Sequence, residues 1–318
     1  MVKLSKKQNL LVIVGPTAIG KTAVSIEVAK KLNGEIISAD SMQIYKYMDI
    51  GTAKVKPEEM EGIPHYLIDV VYPNEEFTVA DFKNYAEKYI KEINGKNKVP
   101  IVVGGSGLYL NSIVYELKFT TIKKNEKFRQ KCEEFANIHG IEYLYNKLYK
   151  IDPITANRIS PNDLKRIIRA LEVYNETGKP MSYFNKNFRK ETDKYNLLMI
   201  GLNTDRATLY SRIEKRVDMM IEEGLIEEVK MLLDMGYTRD LVSMQAIGYK
   251  EIISYLYRET DLEEAINILK RNTRRFAKRQ LTWFKRDDRI KWIDIKKFSN
   301  VDEISDYIVK QYKNISTN

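Results

Sequence analysis

Leu10-Leu11-Val12-Ile13-Val14-Gly15-Pro16-Thr17-Ala18-Ile19-Gly20-Lys21-Thr22 decides the fold. Five apolar residues read as a buried parallel strand. A loop with the spacing G-x-x-x-x-G-K-T follows, and Ala23 to Leu32 then places Val24, Val28 and Leu32 on one helical face. Strand, loop and helix stand in the order that a phosphate-binding loop requires. Gly15 and Gly20 let the backbone curl so that its N–H groups point inward, and the helix start adds partial positive charge. Pro16, Thr17, Ala18 and Ile19 complete the cradle. Lys21 adds a full charge, and Thr22 offers a hydroxyl suited to Mg²⁺. The loop predicts binding of a di- or triphosphate and leaves open what is done to it.

The following segments extend an α/β core. Glu35-Ile-Ile-Ser38 reads as a second strand ending in Asp40-Ser41-Met42-Gln43. In doubly wound sheets the strand ends nearest the ligand lie beside the first loop. Asp40 there is either a proton acceptor or a cap for a following helix. Ser41 and Gln43 can donate and accept, which suits a nucleobase edge. Pro57 to Gly62 reads as a short acidic helix, and Ile63 to Val70 as a turn entering a strand. Thr78 to Ile93 reads as a helix with Phe82, Tyr85, Ala86 and Tyr89 inside. Val99 to Val103 is another buried strand. It ends in Gly104-Gly105-Ser106 rather than in the Mg²⁺-holding Asp of ordinary P-loop NTPases, which argues against a motor or switch ATPase.

Residues 119 to 195 change texture: they are Lys- and Tyr-rich, with helix candidates at 127–137, 143–150 and 163–177. This predicts an all-helical domain inserted between core segments 1–118 and 196–318. The core resumes at Leu197 to Leu202. Asp205 to Met235 reads as a long helix that Gly224 can interrupt. Arg212 and Arg216 share one face of it, to clamp a phosphate or to pair with Glu214 and Asp218.

The chain has 318 residues, 43% of them hydrophobic and 31% charged, with a net charge of +9. Such an excess suits a polyanionic partner, although lysine is frequent throughout. Lys270 to Arg289 holds nine basic and two acidic residues. On a helix Lys270, Arg271, Arg274, Arg275, Lys278, Arg279, Lys285 and Arg286 fill one half of the circumference. Such a stripe fits a nucleic-acid backbone better than a solvated face, which would mix signs. The single Cys132 excludes internal disulfides and Cys-based zinc sites and suits a reducing compartment. Met1 to Asn9 lacks the apolar core of a signal peptide, and no run approaches the ~20 apolar residues of a membrane span. The expected location is the cytoplasm.

G-P-T-A-I-G-K-T (15–22), I-S-A-D-S-M-Q-I-Y (37–45), D-I-G-T-A-K (49–54), P-H-Y-L-I-D (64–69), G-G-S-G-L-Y (104–109), N-D-L-K-R-I-I-R-A-L-E-V-Y (162–174), Q-A-I-G-Y-K-E (245–251) and A-K-R-Q-L-T-W-F (277–284) together resemble the tRNA dimethylallyltransferase family, the bacterial tRNA isopentenyltransferases. The resemblance implies a P-loop NTPase-like parallel sheet core with an inserted helical domain. It implies transfer of a dimethylallyl group from dimethylallyl diphosphate to N6 of adenine 37 in tRNAs that read codons beginning with U. Adenylate isopentenyl transfer and nucleotide phosphorylation are the rival activities.

By the same resemblance Asp40 is the general base, and Thr17 and Ser106 reach oxygens near the reacting centre. The loop, Lys21, Arg216 and Mg²⁺ on Thr22 meet the diphosphate. Asp40, Ser41, Met42, Gln43 and Ser106 touch the target nucleotide. Lys165, Arg166, Arg169, Gln245, Gly248, Tyr249 and Lys250 touch the anticodon stem-loop, while Arg274, Arg275 and Lys278 hold phosphates. A monomer is expected. The family more often has Thr where this chain has Ser106, so the hydroxyl is kept. The zinc finger of eukaryotic members has no counterpart in a chain with one cysteine.

Overall fold

The computed structural model describes residues 7–117, 124–185 and 190–316. The elements are β1 (Gln8–Val14), α1 (Lys21–Leu32), β2 (Gly34–Ala39), β3 (His65–Tyr66), α2 (Val79–Gly95), β4 (Val99–Gly104), α3 (Gly107–Val114), α4 (Glu126–His139), α5 (Ile141–Ile151), α6 (Pro153–Ala156), α7 (Leu164–Thr177), α8 (Met181–Phe184), β5 (Tyr195–Asn203), α9 (Arg206–Glu222), α10 (Leu225–Asp234), α11 (Tyr249–Leu256), α12 (Leu262–Phe284), β6 (Ile290–Asp294) and α13 (Val301–Ser316). They form two compact units, 1–113 with 193–318, and 114–192.

The first unit is built on a parallel sheet of order β3-β2-β4-β1-β5-β6. β1, β2 and β4 are buried along almost their whole length because helices cover both faces of a parallel sheet. The main core joins Leu11, Ile13, Ile101, Ile200 and Leu202 of the strands to Val24 and Val28 of α1 and Ile308 of α13. A second cluster packs α9, α10, α11 and α12 around Tyr249, with Val217, Leu225, Val229 and Leu269.

Register sets the site. Val14 lies opposite Gly104, and Gly104 opposite Ala39, so β1, β2 and β4 end at one level. The segments that follow them begin at Gly15, Asp40 and Gly105 on the same sheet edge. The close pairing explains Gly104: a Cβ there would lie 2.2 Å from the Ala39 carbonyl oxygen.

Three local expectations are corrected. Residues 57–62 form turns rather than a helix, since Glu61 and Gly62 have φ of +49° and +77°. The strand expected over 63–70 shrinks to His65–Tyr66, because Leu67 and Asp69 also have positive φ. Tyr85 is 42% exposed and stacks on Phe77, so the inner face of α2 is Phe82, Ala86, Ile90 and Ile93. The break that the sequence allows at Gly224 is present: at φ +101° it divides the long helix into α9 and α10.

The second unit packs α4, α5, α6 and α7 around Leu144, Leu148, Ile167, Ile168 and Leu171. Its ends meet where Thr192 N–H donates to the Val114 carbonyl (3.3 Å), the two terminal residues of the compact unit 114–192. The expected border at 118/119 itself falls outside the described residues. Glu172 is fully buried and accepts bonds from Arg129 (2.8 Å, twice), Arg169 (2.6 Å) and the Asn125 N–H (2.8 Å). Burial alone would push its carboxyl up. The bonds from Arg129, Arg169 and Asn125 outweigh that and hold it down to about 2. Its contribution to stability is therefore complete above the ordinary carboxylate range and is lost as pH falls towards 2. Glu172→Gln is expected to destabilise this unit by about 2 kcal/mol, read as a lower urea midpoint with unchanged slope, and to remove that acid-dependent loss.

Candidate functional site

The phosphate loop takes its shape from two glycines. Gly15 has φ +153°, and a Cβ on it would lie 2.7 Å from the Leu202 carbonyl oxygen of the neighbouring strand. Gly20 has φ +100° and opens α1 with no side-chain cap, so the first-turn N–H groups of that helix are left for a ligand. Lys21 folds back on its own loop and donates to the Gly15 (3.0 Å) and Pro16 (2.8 Å) carbonyls. Arg212 of α9 donates to the Ile19 carbonyl (3.1 Å) and so braces the loop from outside.

One cleft of about 780 Å³, including its open mouth, is lined by Thr17, Ala18, Gly20, Lys21, Thr22, Asp40, Gln43 and Arg216 among the residues expected from sequence. Burial, and secondarily Arg216, lowers the Lys21 pKa to about 8, with Asp40 opposing them. Burial likewise lowers that of Arg216, again opposed first by Asp40. Two cations and one carboxylate thus share a single partly desolvated space, and the cationic excess suits a diphosphate.

Asp40 caps no helix. Its Oδ1 accepts the Met42 N–H (2.9 Å) in a tight turn. Ser106 Oγ accepts the Ser41 N–H (3.0 Å) and donates to Ser41 Oγ (3.2 Å), tying the segment after β4 to the segment after β2. Ser41, Met42 and Ser106 are not on the cleft lining; their bonds hold the turn that carries Asp40.

Other expected residues sit differently. Gln43 Nε2 donates to the Thr52 (3.3 Å) and Ala53 (3.2 Å) carbonyls, and its Oε1 accepts from Ser38 Oγ (3.0 Å). Its amide N–H groups are therefore committed to the protein, which corrects the expectation that Gln43 offers them to a base. Tyr249 is fully buried and its hydroxyl donates to Glu228 (2.6 Å), so it is a core residue and not a surface for RNA. Gly248 is buried as well, whereas Gln245 is exposed and Lys250 half-buried. On α7, Lys165 and Arg166 are exposed and Arg169 holds Glu172.

The stripe on α12 is partly spent. Lys270 pairs with Asp218 and Arg274 with Glu214, both at 2.6 Å. Those two carboxylates therefore serve α12 rather than Arg212 or Arg216. Arg271, Arg275, Lys278, Arg279, Lys285 and Arg286 are exposed. Spacings of three and four residues put Arg271, Arg275, Lys278 and Arg279 along one outer face of α12, whereas Lys285 and Arg286, expected on the same helix, lie beyond its last residue, Phe284.

Two site residues escape the sequence reading. Phe276 of α12 lines the cleft. Gln280 is 5% exposed and lines it too. The usable signal was a polar side chain set between Ala277, Leu281 and Phe284 on the apolar half of an amphipathic helix.

A parallel α/β sheet with a phosphate loop at its switch point, and a carboxylate facing that loop, defines an enzyme-type nucleotide- or diphosphate-binding core. The model of the IPP transferase family matches residues 43–287. The tRNA dimethylallyltransferase of Carboxydothermus hydrogenoformans is 55% identical over 304 residues, covering 96% of this chain and 97% of that one. That of Thermoanaerobacter sp. strain X514 is 54% identical over 304 residues, covering 95% and 96%. Among solved structures, the full-length tRNA isopentenylpyrophosphate transferase of Bacillus halodurans is 48% identical, with a TM-score of 0.71 and coverage of 98% and 99%. A eukaryotic dimethylallyltransferase described as acting on tRNA is 32% identical, with a TM-score of 0.75 and coverage of 90% and 74%. The chain belongs to the IPP transferase family.

Proposed function

We propose that this protein transfers a dimethylallyl group from dimethylallyl diphosphate to N6 of adenine 37 in the anticodon loop of tRNAs that read codons beginning with U. The observation that carries the reading is the single cleft in which the Lys21 cradle and Asp40 face each other.

Adenine N6 is a weak nucleophile because its lone pair is delocalised into the ring. Asp40 accepts the N6 proton as the new bond forms, acting as general base. N6 attacks the allylic carbon C1, the C1–O bond breaks, and diphosphate leaves with the electron pair. Its growing charge is met by loop N–H groups, Lys21 and Arg216. One hydroxyl, Thr22, beside phosphate oxygens and water is the kind of donor set that suits Mg²⁺, which keeps most of its waters and binds through substrate phosphates. Mg²⁺ held there would neutralise diphosphate charge. No cluster of three or more His, Cys, Asp or Glu able to hold a metal occurs among the described residues.

The target adenine must leave its stack to reach Asp40, as base-modifying chemistry requires. The exposed cations of α12 hold RNA phosphates, and Lys165, Arg166, Gln245 and Lys250 contact the anticodon stem-loop. The reading includes a cytoplasmic monomer. No helix among the described residues is long and apolar enough to cross a membrane.

The test is incubation of purified protein with tRNA and dimethylallyl diphosphate, followed by mass analysis of the nucleosides. N6-dimethylallyladenosine at the expected position supports the reading. Product formed only when AMP, ADP or ATP replaces tRNA would sink it. A companion measurement addresses the stripe. tRNA affinity should fall steeply with salt, and the double substitution R275A/K278A should reduce the log–log slope by about 2, since each phosphate contact contributes roughly 0.9. Arg274→Ala should change that slope little, because Glu214 already holds its guanidinium.

A further inference from the structure

Gln280 connects the two halves of the cleft. Its Oε1 accepts the Thr17 N–H (2.9 Å) of the phosphate loop, and its Nε2 donates to the Gly105 carbonyl (3.1 Å). Gly105 leads into Ser106, whose N–H donates to the Ala39 carbonyl (3.2 Å) and whose hydroxyl bonds Ser41. Asp40 lies between Ala39 and Ser41. One side-chain amide therefore spans from the cradle that holds the leaving group to the segment that aims the base. Space is reserved for it: a Cβ on Gly105 would lie 2.0 Å from Gln280 Nε2. The amide has also taken the Thr17 N–H away from any phosphate, so Gln280 does not serve merely to fill a gap.

We propose that Gln280 is a positioning residue that fixes the separation between the diphosphate cradle and the Asp40–Ser106 pair. It thereby sets the line along which the allylic carbon meets the acceptor nitrogen. The inference rests on the transferase reading above. In-line displacement is sensitive to reactant spacing, and a misplacement of about 1 Å can cost on the order of a hundredfold. Because its amide bonds the protein's own backbone at both ends, its loss should affect the transfer step more than binding.

Gln280→Met keeps length and removes both bonds; Gln280→Glu keeps the bond to Thr17 and sets a carboxylate oxygen against the Gly105 carbonyl. For both, kcat for tRNA prenylation is expected to fall by about tenfold to a hundredfold. KM for each substrate and Kd for inorganic diphosphate should stay within about threefold, and the melting temperature within a few degrees. Gly105→Ala should displace the amide and act on the same step. The double variant G105A/Q280M should then be no slower than the worse single one, as expected for two changes that break one contact. Wild-type kcat in Q280M and Q280E would overturn the proposal. So would a rise in KM at unchanged kcat, or full additivity in the double variant. If the wild-type protein itself makes no prenylated tRNA, the functional reading has failed instead.

Discussion

Asp40→Ala is expected to lower single-turnover prenylation of tRNA by at least about a hundredfold, with tRNA affinity within about threefold of wild type. The carboxylate is the anionic group that shares the cleft with Lys21 and Arg216. It occupies a turn held by its own Oδ1 bond to the Met42 N–H and by the Ser41–Ser106 pair behind it. Alanine removes the proton acceptor and leaves the Ser41–Ser106 support in place. Asp40→Asn separates the base from its shape: it keeps the bond to Met42 and cannot take the N6 proton. Equal deficits in the two variants indicate lost basicity, whereas a normal rate in Asn would remove Asp40 from that role. Quench-flow with excess enzyme isolates this step from product release.

Lys21→Ala is expected to raise the Kd for inorganic diphosphate and to reduce turnover by about a hundredfold or more, the range for deleting one donor at developing negative charge. The wild-type residue also predicts a pH signature. Burial and Arg216 have lowered its pKa to about 8 in the ligand-free site. A bound diphosphate favours the ammonium and raises that value. Binding must then take up protons near pH 8, and affinity must fall as pH rises through about 8. Calorimetry in buffers of different ionisation enthalpy measures the uptake directly. Lys21→Gln should abolish that limb, and a limb that survives would assign it to another group.

How far the sequence could be read follows from how local each signal is. The phosphate loop, its strand and its helix lie within 25 consecutive residues, and their physics is complete there. The alternation of apolar strands with helices made the parallel sheet legible for the same reason. The two-residue β3 was overestimated because positive φ at Leu67 and Asp69 leaves no mark in side-chain type. The site was half legible. Asp40 follows from strand-end logic, since β2, β4 and β1 finish at one level of the sheet. Gln280 does not, because its partners Thr17 and Gly105 are 263 and 175 residues away. Tyr249 was assigned to the RNA side by resemblance alone, and no local pattern marks it as the fully buried residue it is. What buries it is a carboxylate from α10 that no periodicity points to.

That carboxylate has a practical bearing. Glu228 accepts three consecutive backbone N–H groups, from Asp49 (2.9 Å), Ile50 (2.7 Å) and Gly51 (3.1 Å), as well as the Tyr249 hydroxyl. A Cβ on Gly51 would strike the Tyr249 ring at 2.5 Å. Three pieces distant along the chain are thus moulded on one another. Anyone building hybrids between this protein and a relative should move the 49–51 turn, the middle of α10 and the start of α11 as a set. Junctions that split them would leave a buried anion without donors, and the hybrid's wall carbonyls at Thr52 and Ala53 would drift with it.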